Sequence, residues 1–124
     1  MKEDNIDENK TFMFAVRIVK CCGMLYNSHP FIRPLSTQLM RSGTSISANV
    51  AEGLQAQSKS DFIHKFSISL KEANETAQWL KLLHATDYLD DRAYLSMKSD
   101  CVEILKLLTS ILKTARANTP NNKV

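Results

Sequence analysis

Residues 38–53, QLMRSGTSISANVAEG, decide the fold of this chain. At about 100° per residue, the polar side chains of a helix over this stretch fall within a stripe roughly 80° wide. An apolar stripe runs beside it, and small residues fill most of the remaining surface. Such a pattern is typical of a core helix bordered by an ordered polar seam. The polar seam comprises Gln38, Arg41, Ser45, Asn49 and Glu52, and the apolar stripe comprises Leu35, Leu39, Ile46 and Val50.

The composition restricts the class of protein. The chain has 124 residues, of which 44% are hydrophobic and 23% charged, as expected for one globular domain with one core. Three glycines and three prolines are too few for a protein built from many tight turns. No apolar run approaches the roughly 18 to 20 residues that a bilayer span needs. The N-terminus is acidic and polar, unlike a secretory signal, so we expect a cytoplasmic protein without a membrane association.

Hydrophobic periodicity predicts four helices joined by short links, and no segment has the pattern of a strand. Asn5 and Glu8 have the spacing of a capping box at the start of helix one, which Pro30 ends. We therefore predict an all-α fold, an antiparallel up-down-up-down four-helix bundle. The predicted helices cover about 6–28, 34–55, 61–86 and 91–117, within a single domain over 1–118, with a disordered tail over 119–124.

Several helices carry more apolar surface than the interior of a monomeric bundle can hold. Exposed apolar stripes of this size usually mark an interface, so we predict a homo-oligomer. The alternative is a wide core with ordinary partial exposure. The extra apolar residues are Phe12, Val19 and Tyr26 on helix one, Trp79 on helix three, and Leu105, Leu107 and Leu112 on helix four.

Catalytic and metal-binding patterns are weak. A di-iron bundle needs Glu-x-x-His on two helices, whereas here only Asp61 and His64 approach that spacing. Glu72 and Glu75 could form an acid/base pair. However, Lys71 lies four residues before Glu75, which favours a surface ion pair. There is no glycine-rich phosphate loop and no GxSxG motif. We expect no catalytic residues, no metal and no cofactor.

The three cysteines predict no cross-links. Cys21, Cys22 and Cys101 have neither CxxC spacing nor a Cys/His ligand pattern. Their odd number and the expected reducing compartment favour free, largely buried thiols. A redox or metal role is the alternative.

The net charge of +3 is unevenly distributed along the chain. Residues 1–9 carry −3 and residues 10–65 carry +5, whereas residues 66–100 carry −2 and residues 101–124 carry +3. Basic segments of this kind suit a nucleic-acid backbone, and an ordinary solvated surface is the alternative.

The polar seam itself has two interpretations. Its side chains can pair with neighbouring helices or subunits and thereby fix their register. Alternatively, Arg41 faces a phosphate or another ligand. No base, nucleophile or metal partner accompanies the seam in the sequence, which favours the structural interpretation.

The motif QLxRSxxSIxxNVAEG over residues 38–53 resembles the signature of a four-helix-bundle family, named after proteins encoded in intervening sequences of 23S ribosomal RNA genes. The resemblance covers about residues 10–115. Lys71-Glu72 replaces the Gly-Ser of many members, which indicates a subgroup. The resemblance extends through Asp61-Phe62, ISLKEAxET over 68–76, Trp79-Leu80 and Asp87-Tyr88-Leu89.

The resemblance implies an antiparallel four-helix bundle similar to the accessory protein of diversity-generating retroelements. That relative is a ring-shaped pentamer whose basic surface engages nucleic acid and a reverse transcriptase. A homopentamer is therefore the implied assembly, although biochemical function across the family is largely unassigned.

These expectations converge on a non-enzymatic, oligomeric protein that binds RNA or DNA or serves as a scaffold. The alternative is an adaptor that docks a partner polypeptide through apolar helix faces without binding nucleic acid. The residues expected to contact nucleic acid are Arg17, Lys20, Arg33, Arg41, Lys113 and Arg116.

Overall fold

Four α-helices account for most of the residues that the computed structural model describes, which are residues 2–118. Within this range no residue belongs to a β-strand, so the predicted all-α class is confirmed. The predicted disordered tail over 119–124 lies outside the described residues. The helices are α1 (Lys2–Ser28), α2 (Arg33–Leu54), α3 (Lys59–Ala85) and α4 (Asp91–Ala117), with a 3-10 turn at Pro30–Ile32 between α1 and α2.

The start of α1 is the largest difference from the predicted boundaries. The helix begins at Lys2, before the predicted start near Ile6, so Asn5 lies inside it. The predicted capping box is therefore wrong. The end is as expected, because α1 stops at Ser28 and Pro30 opens the 3-10 turn.

Side-chain caps mark the starts of α3 and α4. The Ser58 hydroxyl accepts a hydrogen bond from the backbone N–H of Asp61 at 3.0 Å. The Asp90 carboxylate accepts one from the backbone N–H of Ala93 at 2.8 Å. Each cap satisfies a donor that the first helical turn leaves unpaired.

The four helices bury one continuous apolar core. α2 packs extensively on α1 and α3, and α3 packs on α4, while α1 and α4 share a smaller contact. Each fully buried Leu or Ile side chain contributes about 1.5–3 kcal/mol. In the described part of the chain, no helix is long and apolar enough to cross a bilayer. Core positions include Ile18, Cys22 and Leu25 of α1, Leu39, Ile46 and Val50 of α2, Phe66, Leu80 and Leu83 of α3, and Met97, Cys101, Ile104, Leu108 and Leu112 of α4.

Small residues of α2 allow its neighbours to approach closely. A methyl group at Gly43 would lie 2.8 Å from Cγ1 and Cγ2 of Ile18, on α1. A methyl group at Gly53 would lie 2.6 Å from the ring of Phe66, on α3. The glycines are therefore required by packing, since ordinary contacts between carbon atoms are near 3.5–4.0 Å.

Buried hydroxyl groups link α2 to both neighbours. Ser36 donates to the Cys22 carbonyl oxygen of α1 at 3.1 Å, and Ser69 of α3 donates to the Ile46 carbonyl oxygen at 2.9 Å. The hydroxyls of Thr76 and Ser42 are 2.9 Å apart across the α2–α3 contact. These bonds satisfy buried polar groups that would otherwise destabilise the core.

Candidate functional site

The polar seam of α2 faces α3, where its arginine meets two carboxylates. Arg41 Nη1 lies 3.3 Å from Glu72 Oε1, and Nη2 forms an ion pair with Glu75 Oε1. Arg41 Nε also donates to Gln38 Oε1 at 3.4 Å. We call these four side chains the Arg41 cluster. Among the described ion pairs, Glu75 binds Arg41 of the neighbouring helix and not Lys71, the partner that helical spacing suggests.

The remaining seam residues form local bonds and one further ion pair. Ser45 donates to the Arg41 carbonyl oxygen at 2.7 Å, and Asn49 donates to the Ser45 carbonyl oxygen at 2.8 Å. Glu52 Oε1 lies 2.9 Å from Lys65 Nζ of α3. The seam therefore supplies contacts that order α2 against α3.

The chemistry available to the Arg41 cluster is limited. Its two carboxylates outnumber the single guanidinium, so a phosphate at Arg41 would have to compete with Glu72 and Glu75. Among the side chains that the structure describes, no group of three from His, Cys, Asp and Glu could hold a metal ion. The cluster is suited to orienting helices more than to binding an anion.

The α1–α4 contact also pairs basic groups with acidic ones. Arg17, expected to contact nucleic acid, forms an ion pair with Asp100 and donates to the Ser96 hydroxyl at 2.8 Å. Lys10 Nζ lies 2.6 Å from Glu103 Oε1 nearby. Because these cations have carboxylate partners, they contribute little net positive charge to the surface.

The other basic residues expected at a nucleic-acid interface lie on three different helices. Arg33 lies at the α1–α2 turn, with its guanidinium carbon 4.6 Å from the ring centroid of Tyr26. Arg116 donates to the Ser67 hydroxyl at 3.0 Å, between α4 and α3. Lys20 is exposed on α1 and Lys113 is exposed on α4. The six predicted residues are thus distributed over α1, α2 and α4.

An apolar groove lies between α1 and α2 on the outside of the bundle. It has a volume of about 500 Å³. Phe12 and Val19, from the predicted second apolar row of helix one, are 57% and 46% exposed. Leu112 of α4 was predicted to belong to the apolar surface outside the core, and this prediction is wrong because Leu112 is buried in the core. The lining residues of this apolar groove are Phe12, Ala15, Val16, Val19, Lys20, Thr44, Ser47 and Ala48.

The cysteines are free, as predicted, and two of them are buried in the core. Burial raises the pKa of the Cys22 thiol to about 12, with a smaller contribution from neighbouring Cys21. Burial likewise raises the pKa of Cys101 to about 11. These thiols therefore stay protonated at neutral pH and are poor nucleophiles.

Sequence reasoning missed two lysines that line a second groove. Lys81 of α3 and Lys98 of α4 both contribute to a groove between these helices. They are far apart in the chain, and neither belongs to a basic run. Only the alignment of α3 with α4 brings them together, and helical periodicity does not specify that alignment.

Arg41 and Glu75 are expected to be energetically coupled. In a double-mutant cycle of Arg41→Ala and Glu75→Ala, we expect a coupling energy of about 0.5–1 kcal/mol, because this bridge is part of a network with Glu72. Urea unfolding of the wild type, both single variants and the double variant measures it. Additive effects would show that the cluster does not stabilise the α2–α3 contact.

The comparisons with known proteins agree with this architecture. The family of 23S rRNA-intervening sequence proteins matches residues 3–110. The chain is also similar to a solved protein of unknown function from the S23 ribosomal protein family of Bacteroides thetaiotaomicron. The two share 50% sequence identity and a TM-score of 0.85, over 90% of this chain and 98% of that chain. No curated protein matches the chain. With a match that spans most of its length, the chain belongs to the 23S rRNA-intervening sequence protein family.

Proposed function

We propose that this chain is a non-enzymatic, homo-oligomeric four-helix-bundle protein of the cytoplasm that binds nucleic acid or serves as a scaffold. The observation that carries the proposal is the apolar groove between α1 and α2. Its exposed aromatic and aliphatic side chains form a continuous surface that association with another copy would remove from water.

We further infer an antiparallel, up-down-up-down order of the four helices. Ser36 contacts Cys22, and Gly43, further along α2, packs against Ile18, which is earlier in α1. Such a reversal of residue order is what antiparallel neighbours produce, and short links between helices favour the same arrangement. Comparable pairs are Ser42–Thr76 and Glu52–Lys65 for α2 and α3, and Ala73–Cys101 and Ser67–Arg116 for α3 and α4.

The proposed assembly is a homopentamer. The likeness to the pentameric accessory protein of diversity-generating retroelements supports this number, and closed symmetric rings are a common solution for repeated interfaces. A ring would also repeat the net charge of +3 around its surface. The summed field would attract nucleic acid more strongly than one copy does.

Val19→Glu is expected to dissociate the oligomer. It places a charge in the lining of the apolar groove, where burial against another copy would be costly. By size-exclusion chromatography with light scattering, the wild type should exceed the 14.0 kDa of one chain and the variant should approach it. Leu95→Glu is the matched control, since Leu95 is 59% exposed on α4 and lies outside the groove. A monomeric wild type at micromolar concentration would contradict the proposed assembly.

Nucleic-acid binding can be tested in the same preparation. Binding led by the phosphate backbone should weaken steeply with salt and depend little on sequence. Light scattering with and without RNA reports the assembly and the complex together. If neither structured RNA nor duplex DNA shows a mobility shift at low salt, the nucleic-acid proposal fails.

An adaptor that docks another protein is the second candidate function. It is favoured by exposed apolar side chains outside the apolar groove. Phe31, in the turn between α1 and α2, is 87% exposed, and Leu95 is 59% exposed. A defined partner protein whose binding survives charge reversal at Arg33 and Arg116 would support this candidate over nucleic acid.

A further inference from the structure

The groove between α3 and α4 differs in character from the apolar groove. It has a volume of about 360 Å³. An apolar floor, which includes Leu80 and Val102, lies beneath a polar rim. The rim residues are Asn74, Gln78, Lys81, Tyr94 and Lys98.

The rim of this groove carries two positive charges, those of Lys81 and Lys98. No Asp or Glu is among the described residues that line it. In contrast, the α1–α4 contact pairs Lys10 with Glu103, and the α2–α3 contact pairs Lys65 with Glu52. Lys81 and Lys98 are both exposed, so their ammonium groups are available to an anion from solvent. Of the surfaces between helices described above, this groove is therefore the best suited to attract an anion.

A stack of rings orients one of the two lysines. Lys98 Nζ lies 5.7 Å from the centroid of the Tyr94 ring. That ring stacks on His84, with centroids 4.2 Å apart and planes inclined by 5°. His84 Nε2 in turn lies 2.7 Å from Asp91 Oδ1, so this nearby carboxylate already has a partner. The ammonium group of Lys98 has three N–H donors, and its contact with the ring leaves donors available to a phosphate oxygen.

The ligand class follows from the charge and from the length of the surface. Lysine ammonium groups and the Gln78 amide supply N–H donors, which match phosphate oxygens. Arg116 lies on the same face of α4 as Lys98, because eighteen residues correspond to about five helical turns, or ~27 Å. Basic groups spaced along a helix in this way suit an extended polyanion better than a single phosphate ion.

We propose that the α3–α4 groove binds the phosphate backbone of a nucleic acid, with Lys81 and Lys98 as the principal contacts. This inference rests on the proposed nucleic-acid function and gives it a location. It uses helices other than the pair that forms the apolar groove. A bound strand would therefore leave the proposed subunit interface free.

The test compares two charge-matched double variants. Lys81→Ala/Lys98→Ala removes two rim charges, and Lys10→Ala/Lys65→Ala removes two charges that are paired with carboxylates. Fluorescence anisotropy with a labelled RNA hairpin and a labelled DNA duplex, over a salt series, gives affinity and salt dependence. On the duplex, the groove variant should lower the slope of log K against log salt by about 1.8 in magnitude. The control should retain nearly the wild-type slope, and Lys81→Arg/Lys98→Arg should retain binding.

The possible failures are distinguishable. If the wild type binds neither probe at low salt, the proposed nucleic-acid function is wrong. Two outcomes would overturn only the groove assignment: the wild type binds and both alanine variants lose affinity equally, or it binds and neither variant loses affinity. In either case the phosphate backbone of the nucleic acid lies elsewhere on the protein. Circular dichroism of each variant establishes that the bundle is folded before binding is compared.

Discussion

Gly43→Val is expected to lower the free energy of unfolding by about 2–3 kcal/mol. Gly43 is buried, and its added Cβ would lie 2.8 Å from Cγ1 and Cγ2 of Ile18. These atoms cannot move aside easily, because a β-branched side chain in a helix has one strongly preferred rotamer. The strain must instead separate α1 from α2. Urea unfolding at a fixed protein concentration measures the change, since assembly couples stability to concentration.

Gly23→Ala is the matched control for this packing effect. Gly23 lies within α1, and a methyl group there would meet no atom within 4 Å beyond its chain neighbours and the adjacent helix backbone. Alanine has the higher helix propensity, so this variant should be more stable by about 0.5–1 kcal/mol. If Gly43→Val were as stable as the wild type, the result would contradict the close packing of α1 against α2 at Gly43.

The sequence predicted helices best where apolar periodicity and a cap coincide. α4 begins at Asp91 and ends at Ala117, as predicted, because Asp90 caps it and apolar residues recur along its length. At the start of α1 these signals conflict. The first residues are polar, so they lack the apolar positions by which periodicity identifies a helix. Asn5 and Glu8 have the spacing of a capping box although they do not form the helix start. Acidic residues are nevertheless favourable in a first helical turn, which is consistent with a helix that begins at Lys2.

The candidate sites required information that no single helix contains. Periodicity alone placed the seam residues on one face of a helix, and α2 covers all five of them. The partners of Arg41 lie on α3, and the partner of Arg17 lies on α4, 83 residues away in the chain. Both arginines were predicted to contact nucleic acid because they are positively charged. The register between helices instead places a carboxylate against each of them, and the same register brings Lys81 and Lys98 together.

Alkaline pH is expected to destabilise the protein through its buried thiols. The pKa of Cys22 is raised from 9.0 to about 12, and that of Cys101 from 9.0 to about 11, chiefly because burial disfavours the thiolate. In the unfolded chain both thiols ionise near the ordinary value, while in the folded chain they keep their protons. Their contribution to stability is therefore complete below about pH 9 and is lost as pH rises toward the folded-state values.

The expected loss is large for a protein of this size. One pKa unit corresponds to about 1.4 kcal/mol. Ionisation of the two thiols should therefore lower the free energy of unfolding by about 4 kcal/mol between about pH 9 and 11. Urea unfolding across this range should show a shallower pH dependence for Cys22→Ala/Cys101→Ala than for the wild type. Cys21→Ala, at a half-buried position, is the control and should retain most of the dependence. Because tyrosine and lysine ionisation is common to all three proteins, an identical pH dependence in the double variant would show that the core thiols are not responsible.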